Sequence, residues 1–266
     1  MDRVKQKARD LLDSNKVQVV IGYEEGTDGT ARPVFIMDSK NIDKLIFNDR
    51  CYHNLAVYLT KVEVEKIGRV AVEASLNTLK GIVKLASEGQ FVFEDIDILG
   101  VNRNGELYEF ASLDEVIDYI DQHPVEYSPE EISLLRKIES MTREERWEYW
   151  QEEFSRCIRC YACRAACPNC YCDACIVDIN QPQWISPTPD ALGNLEWHII
   201  RAMHLAGRCV NCGACAKACP VDIPLNILNL KLAEEISKNF GISEEFLLTN
   251  YPLAIYDPND KENFIK

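Results

Sequence analysis

The chain has 266 residues, of which 47% are hydrophobic and 27% charged, and its formal net charge is −14. This composition predicts a soluble globular protein of one large or two ordinary domains. The negative charge argues against a nucleic-acid partner, whose phosphates would be repelled, but it would attract a protein with a basic face. Apolar runs are far shorter than the roughly eighteen residues of a membrane helix, and the mixed-charge N-terminus does not resemble a secretory signal, so we expect a cytoplasmic protein without a membrane span.

The first 125 residues alternate between strand and helix patterns. Strands are predicted at 17–23, 33–37, 68–74 and 95–101, and helices at 54–67, 75–89 and 112–123. Ser75 and Ser112 are suited to cap the last two of these helices. Strands that alternate with helices form βαβ units, so residues 1–125 are predicted to be an α/β domain with a largely parallel sheet.

Three further segments follow the α/β pattern. Residues 126–155 are charged, free of glycine and helical in pattern, which predicts a connecting pair of helices. The cysteine-rich segment occupies 156–222. Residues 223–266 are predicted to form a last helix that ends at Gly241, followed by a polar tail.

The cysteines are concentrated in one part of the chain. Eleven of the twelve lie between 157 and 219, and only Cys51 stands apart. Secreted disulfide scaffolds are usually short, whereas dense cysteines in a reducing compartment indicate metal ligands. The stretch "CIRCYACRAACP" (157–168) recurs as "CVNCGACAKACP" (209–220), and both copies have the C-x2-C-x2-C-x3-C-P spacing of bacterial-type [4Fe–4S] proteins.

This spacing assigns the ligands crosswise between the two copies. Three cysteines at steps of three wrap one face of a cubane, while the fourth points away and serves the other cubane. One predicted cluster is therefore held by Cys157, Cys160, Cys163 and Cys219, and the other by Cys209, Cys212, Cys215 and Cys167. Gly213 is expected to let the backbone approach a sulfide closely. We thus predict a mainly helical C-terminal domain that carries a two-[4Fe–4S] ferredoxin module.

A zinc ribbon is the alternative reading of these eight cysteines. Zinc needs two C-x2-C pairs, but it needs neither a third cysteine at the same step nor a following Cys-Pro. Both features occur twice here, which favours iron–sulfur clusters.

Four cysteines remain, the number required for one more cluster: Cys51, Cys170, Cys172 and Cys175. In that interpretation Cys51 closes the site from the first domain and joins the two domains. Alternatively Cys51 is an ordinary buried thiol, and the other three bind a different metal or none. We expect His198 and His204 to pack or to tune a nearby cluster by hydrogen bonding. The tryptophans that flank the segment are expected to be core and interface aromatics rather than electron relays: Trp147, Trp150, Trp184 and Trp197. No catalytic residue is predicted.

Several of these segments resemble a known family. They are "RCIRCYACRAACPNCYCDAC", "HLAGRCVNCGACAKACPVDIPLNILNLKL" and, in the first half, "VIGYEEGTDGTARPVFI", "CYHNLAVYL" and "LKGIVKLASEGQFVFEDIDILGV". They are similar to dicluster iron–sulfur proteins of anaerobes that are related to the beta subunits of coenzyme-F420-dependent hydrogenases and formate dehydrogenases. The resemblance covers nearly the whole chain. It implies partners among flavoprotein, hydrogenase, formate dehydrogenase or heterodisulfide-reductase-like subunits.

The chain departs from these relatives in two loops. Where they carry Lys-Gly-Cys-Asp-Ser and Pro-Cys, this chain has residues 73–77 (Glu-Ala-Ser-Leu-Asn) and Asn102–Arg103. Both loops follow strands, at the sheet edge where α/β domains bind ligands. The first-domain flavin that the larger family implies is therefore the less favoured interpretation.

Three functions follow from the sequence. The leading prediction is an electron-transfer subunit of a multisubunit anaerobic oxidoreductase, which relays single electrons between partner cofactors. The alternative is a subunit that binds FAD in its first domain and exchanges hydride for electrons with its own clusters. The third is a scaffold that uses zinc.

Overall fold

The structure is a computed structural model that describes residues 1–124, 127–173, 175, 179, 182–183, 185–186 and 188–240. Its N-terminal half is built around a five-stranded sheet with the strand order β2-β1-β3-β4-β5. The strands are β1 (Val19–Glu25), β2 (Ala31–Ile36), β3 (Val70–Ala74), β4 (Ile96–Val101) and β5 (Leu107–Tyr108). Residues of β1 alternate between the two faces of the sheet, so Ile21 and Val20 belong to different hydrophobic clusters.

Only the centre of this sheet is parallel. β1 pairs with β3 and β3 with β4 in parallel, whereas the edge strands β2 and β5 pair antiparallel with β1 and β4. The prediction of a largely parallel sheet is therefore wrong at both edges. The connections at 26–30 and 102–106 are far shorter than the dozen or so residues that a parallel crossover requires, so each of them makes a hairpin.

Helices cover both faces of the sheet. α1 (Asp2–Asp13) packs on one face, and α3 (Leu76–Ser87) and α4 (Leu113–Gln122) pack on the other. The predicted helix at 54–67 is instead a 3-10 turn, Leu55–Tyr58, followed by the single turn α2 (Val62–Glu65). Extended backbone at Lys61 separates the two turns. The segment is rich in β-branched residues, which lower helix propensity.

The C-terminal half is mainly helical. Its helices are α5 (Pro129–Ser140), α6 (Arg143–Ser155), α7 (Ala162–Ala165), α8 (Ala191–His204), α9 (Ala214–Lys217) and α10 (Leu225–Phe240). Capping boxes start α5 and α6, since Ser128 and Thr142 each exchange hydrogen bonds with a glutamate three residues on. None of the helices in the described part of the chain has the length and apolar character to cross a membrane. Trp184 and the predicted tail after Phe240 lie outside the described residues.

The two halves are joined through Glu88, the residue that follows α3. The Arg208 guanidinium donates to both carboxylate oxygens, with Nε–Oε1 2.8 Å and Nη2–Oε2 2.7 Å. The Tyr171 hydroxyl donates to Oε2 at 2.9 Å, and the guanidinium lies 5.2 Å from the centre of the Tyr171 ring. Val210 is part of the same hydrophobic cluster as β1 and β3. The cysteine-rich segment therefore packs directly on the α/β domain.

Candidate metal centre

The two cysteine runs adopt the same backbone conformation. Arg159 and Tyr161 of the first run have φ values of 54° and 58°, and Asn211 and Gly213 of the second have 54° and 72°. A helix of four residues follows in each case, α7 in the first run and α9 in the second. Left-handed backbone costs non-glycine residues about 1–2 kcal/mol each. The sequence repeat is therefore also a structural repeat, maintained against a conformational cost.

Gly213 of the second run has left-handed backbone, with a φ of 72°. A Cβ atom built there would have no protein atom within 4 Å, so the glycine is not needed to avoid a clash with the chain. Its counterpart Tyr161 carries a full side chain at nearly the same φ. What the structure requires at Gly213 is the left-handed backbone, which glycine adopts without strain.

Backbone amides point at three of the sulfurs in the two predicted quartets. The amides of Arg159 and Asn211 donate to the Sγ atoms of Cys157 and Cys209, two residues earlier in each run, both at 3.4 Å. The Ile223 amide donates in the same way to the Sγ of Cys219 at 3.4 Å. Hydrogen bonds of this kind stabilise thiolate sulfur that is bound to a metal.

One cavity is lined by the four cysteines of the first predicted quartet, Cys157, Cys160, Cys163 and Cys219. Trp197 and His198 of α8 lie on its wall, and the indole Nε1 and imidazole Nε2 are buried with no hydrogen-bond partner in the described residues. Burial, together with Arg201 and Arg159, lowers the pKa of His198 to about 3, so its ring is neutral. Two unsatisfied nitrogens beside four thiols fit a bound group that accepts hydrogen bonds through sulfur.

A second cavity is lined by the cysteines of the other predicted quartet, Cys167, Cys209, Cys212 and Cys215. The Asn229 amide nitrogen lies 4.0 Å from the Sγ of Cys215. Burial raises the pKa of Cys209 and of Cys215 to about 12. These thiols would therefore ionise at neutral pH only when a metal cation compensates their charge, and metal loading would release protons.

The structure brings together the crosswise sets that the spacing predicts. Cys219 shares the cavity of the first run, and Cys167 shares the cavity of the second. α7 and α9 contact each other, so the two cavities are neighbours. Among the described residues no three His, Cys, Asp or Glu side chains converge closely enough to hold a single ion. The thiols stand instead around the cavity walls, and the presence of a [4Fe–4S] cluster in each cavity remains a prediction.

The remaining four cysteines are not brought together. Cys170, Cys172 and Cys175 line a third cavity of about 240 Å³, together with Arg164, Arg201 and Arg208. Cys51 lines a different cavity on the α/β domain, where its Sγ accepts from the Asn48 amide at 3.4 Å. Burial raises the pKa of Cys51 to about 11. Cys51 therefore lines a different cavity from Cys170, Cys172 and Cys175 in this structure.

The cavity beside Cys51 is the largest of those described, with about 580 Å³ at the carboxyl ends of β3 and β4. Its wall includes the loops that follow β3 and β4, with Ser75, Asn77, Asn102 and Arg103. Cofactor pockets usually measure about 300–1,000 Å³. The Asn77 side-chain amide donates to the backbone oxygen of Cys212 at 3.4 Å, so this cavity adjoins the second cysteine quartet. No sequence pattern indicated this proximity.

Glu73, which was expected in a ligand-binding loop, belongs to the sheet interior instead. Its Oε2 accepts from the Tyr23 amide at 3.1 Å, while its Oε1 is buried and has no partner among the described residues. Gly22 makes room for it, since a Cβ there would lie 2.6 Å from Oε2. Burial raises the pKa of Glu73 to about 8, so the carboxyl group is mostly protonated at pH 7.

Comparisons with known proteins match the second cysteine run to an iron–sulfur family, and they match part of the chain to the beta subunits that the sequence resembles. Residues 205–224, which contain Cys209, Cys212, Cys215 and Cys219, match the family described as 4Fe-4S binding domain. The F420-dependent formate dehydrogenase subunit beta of Methanocaldococcus jannaschii is 35% identical over 116 residues, which is 41% of this chain and 29% of that protein. The F420-dependent formate dehydrogenase 1 subunit beta of Methanococcus maripaludis is 35% identical over 94 residues, 35% of this chain and 24% of that protein.

These matches span less than a third of the length of either relative. They nevertheless confirm the resemblance to beta subunits of F420-dependent enzymes that the sequence predicts. Part of the chain is thus similar to the beta subunits of F420-dependent formate dehydrogenases, and residues 205–224 match a 4Fe–4S binding domain.

Proposed function

We propose that this chain is an iron–sulfur electron-transfer subunit of an oxidoreductase. Two [4Fe–4S] clusters, one in each cysteine-lined cavity, would relay single electrons between the cofactors of partner subunits. The observation that carries the proposal is that each crosswise quartet lines its own cavity and that the two cavities are neighbours. In this proposal the domains are 1–125, the connector 126–155, the two-cluster module 156–222 and the C-terminal segment 223–266.

A [4Fe–4S] cluster supplies reversible one-electron chemistry, and its potential depends on charge, hydrogen bonds to sulfur and solvent exposure. The chain's own part is to hold the thiolates, to donate hydrogen bonds to them and to exclude water. It also places the two quartets differently. Cys160 is exposed and lies two residues after Ile158, which is 54% exposed. Cys212, in contrast, adjoins the α/β cavity through Asn77. One end of the relay would thus face a partner, and the other would face the α/β domain.

The proposed partners are the subunits of a formate dehydrogenase, a hydrogenase, a flavoprotein or a heterodisulfide-reductase-like enzyme in the cytoplasm. Formate dehydrogenase subunits come first because both matched relatives are named as beta subunits of that enzyme. The net charge of −14 favours docking faces that are basic.

Metal analysis of anaerobically purified protein tests the proposal. We expect about eight irons and about eight sulfides per chain, or about twelve of each if the three cysteines of the third cavity also hold a cluster. Reduction should produce the electron paramagnetic resonance (EPR) spectrum of two interacting cubanes. Stoichiometric zinc without iron would contradict the proposal and support the scaffold alternative.

A second candidate function is a flavin-containing subunit that exchanges hydride for electrons with its own clusters. The 580 Å³ cavity favours it, because this cavity has the size of a cofactor pocket and adjoins the second quartet. Polar side chains on its wall and the N-terminus of α3 at Ser75 would suit the phosphates of FAD.

Fluorescence titration with FAD tests this second function. Wild-type protein should quench FAD fluorescence, and Leu76→Trp, which adds bulk on the cavity wall, should weaken binding at least tenfold. Wild-type protein that leaves FAD fluorescence unchanged would remove the flavin function and leave the relay proposal intact.

A further inference from the structure

Arg201 of α8 is buried beside the first cysteine run. The residue is 7% exposed, and its Nη2 donates to the backbone oxygen of Cys163 at 3.0 Å. It also lines the third cavity with Cys170 and Cys172. The Nε of Arg201 is buried and has no hydrogen-bond partner among the described residues. An unsatisfied donor on a buried cation next to thiols points to an anionic acceptor.

The charge of Arg201 acts on cysteines from both quartets. The cysteines that interact electrostatically with its guanidinium are Cys167 and Cys215 of the second quartet, Cys163 of the first, and Cys170. An arginine remains protonated at any physiological pH, so the charge is permanent.

Other arginines near the cysteines are placed differently. Arg208 is neutralised by its bidentate pair with Glu88. Arg159 is also buried, but its Nε and Nη2 donate to the Asn194 side chain and the Ser186 backbone, both at 2.8 Å. Arg201 is therefore the arginine of these three with an unsatisfied buried nitrogen.

We propose that Arg201 raises the reduction potentials of both clusters, because its buried positive charge stabilises the added electron on either of them. The inference rests on the proposed two-cluster relay. Reduction adds one negative charge to a cluster, and a nearby cation lowers the energy of that state more strongly in a buried site than in water. One side chain would thus keep the potentials of the two neighbouring clusters close enough for electrons to pass between the clusters.

Potentiometric titration of the intact, cluster-loaded protein, followed by EPR, tests the inference. Arg201→Met removes the charge and keeps most of the volume, and Arg201→Gln removes the charge and keeps an N–H donor for the Cys163 carbonyl. We expect full iron content in both variants. The reduction equilibrium of each cluster should shift at least tenfold towards the oxidised form. For one electron, this equals a potential that is more negative by about 59 mV. Arg201→Lys, which retains a charge, should shift them less.

Arg156→Met is the matched control. Arg156 is also an arginine and immediately precedes Cys157, but its side chain is 45% exposed and pairs with Glu153. Solvent screens its charge, so the potentials should stay at the wild-type values.

Three outcomes would overturn the inference about Arg201. Unchanged potentials in loaded Arg201→Met or Arg201→Gln protein would show that the charge does not act on the clusters. A shift of equal size in Arg156→Met would show that position is irrelevant. Loss of iron from both uncharged variants would assign Arg201 a structural role only. Wild-type protein without cubane clusters would instead defeat the proposed function itself, which separates the two failures.

Discussion

Replacing Cys157 and Cys219 together by alanine should remove one cluster and leave the other unperturbed, with about four irons retained. These two cysteines are far apart in the sequence, but they line the same cavity. A cluster that loses two of its four thiolates should not survive. The EPR spectrum of the reduced variant should therefore change from that of an interacting pair to that of a single cubane.

The matched variant replaces Cys157 and Cys167, which belong to the same run but line different cavities. Each cluster then loses one thiolate, so neither should retain its wild-type EPR signal or potential. A sequential assignment, in which each run holds its own cluster, predicts the opposite behaviour of the two variants. If the Cys157 and Cys167 variant kept one cluster in its wild-type state, the crosswise assignment would be wrong.

Glu88→Gln should lower the free energy of unfolding by about 3 kcal/mol, because it leaves Arg208 without its counter-charge at the contact between the two halves. That figure is at the low end for breaking a buried ion pair, since Arg208 keeps 22% of its side chain exposed. Burial alone would raise the pKa of Glu88, but the hydrogen bonds and charges of Arg208 and Lys84, with the Tyr171 hydroxyl, lower it below its usual value. The stabilisation should thus be present above the unfolded-state pKa and be lost as the pH falls through the lower folded-state pKa.

Anaerobic denaturant unfolding of the loaded protein, followed by circular dichroism, measures this effect. Glu139→Gln is the control, because Glu139 pairs with Lys231 on the surface, where their side chains are 42% and 39% exposed. That pair should contribute under about 1 kcal/mol. Equal stabilities of the Glu88 and Glu139 variants at neutral pH would show that the Glu88 pair does not hold the halves together.

The amino-acid sequence by itself determined the features that depend on local spacing. Cysteines at fixed steps followed by proline predicted two quartets, and the quartets line two separate cavities. Short-range hydrogen bonding also made Ser75 and Ser112 recognisable as helix caps, and both hydroxyls accept from the backbone amide three residues on, at the starts of α3 and α4. These features depend on interactions among residues close in the chain, so a pattern of residue types is enough to specify them.

Tertiary structure decided the features that depend on which distant segments meet. Connection length, rather than strand composition, made β2 and β5 antiparallel edges. Packing placed Cys51 away from the third cavity, buried Glu73 in the sheet and put Asn77 against Cys212. Arg201 and Glu88 carry no sequence signature, because a buried charge is defined by the groups that surround it in space. Those groups come from segments that only the folded chain brings together.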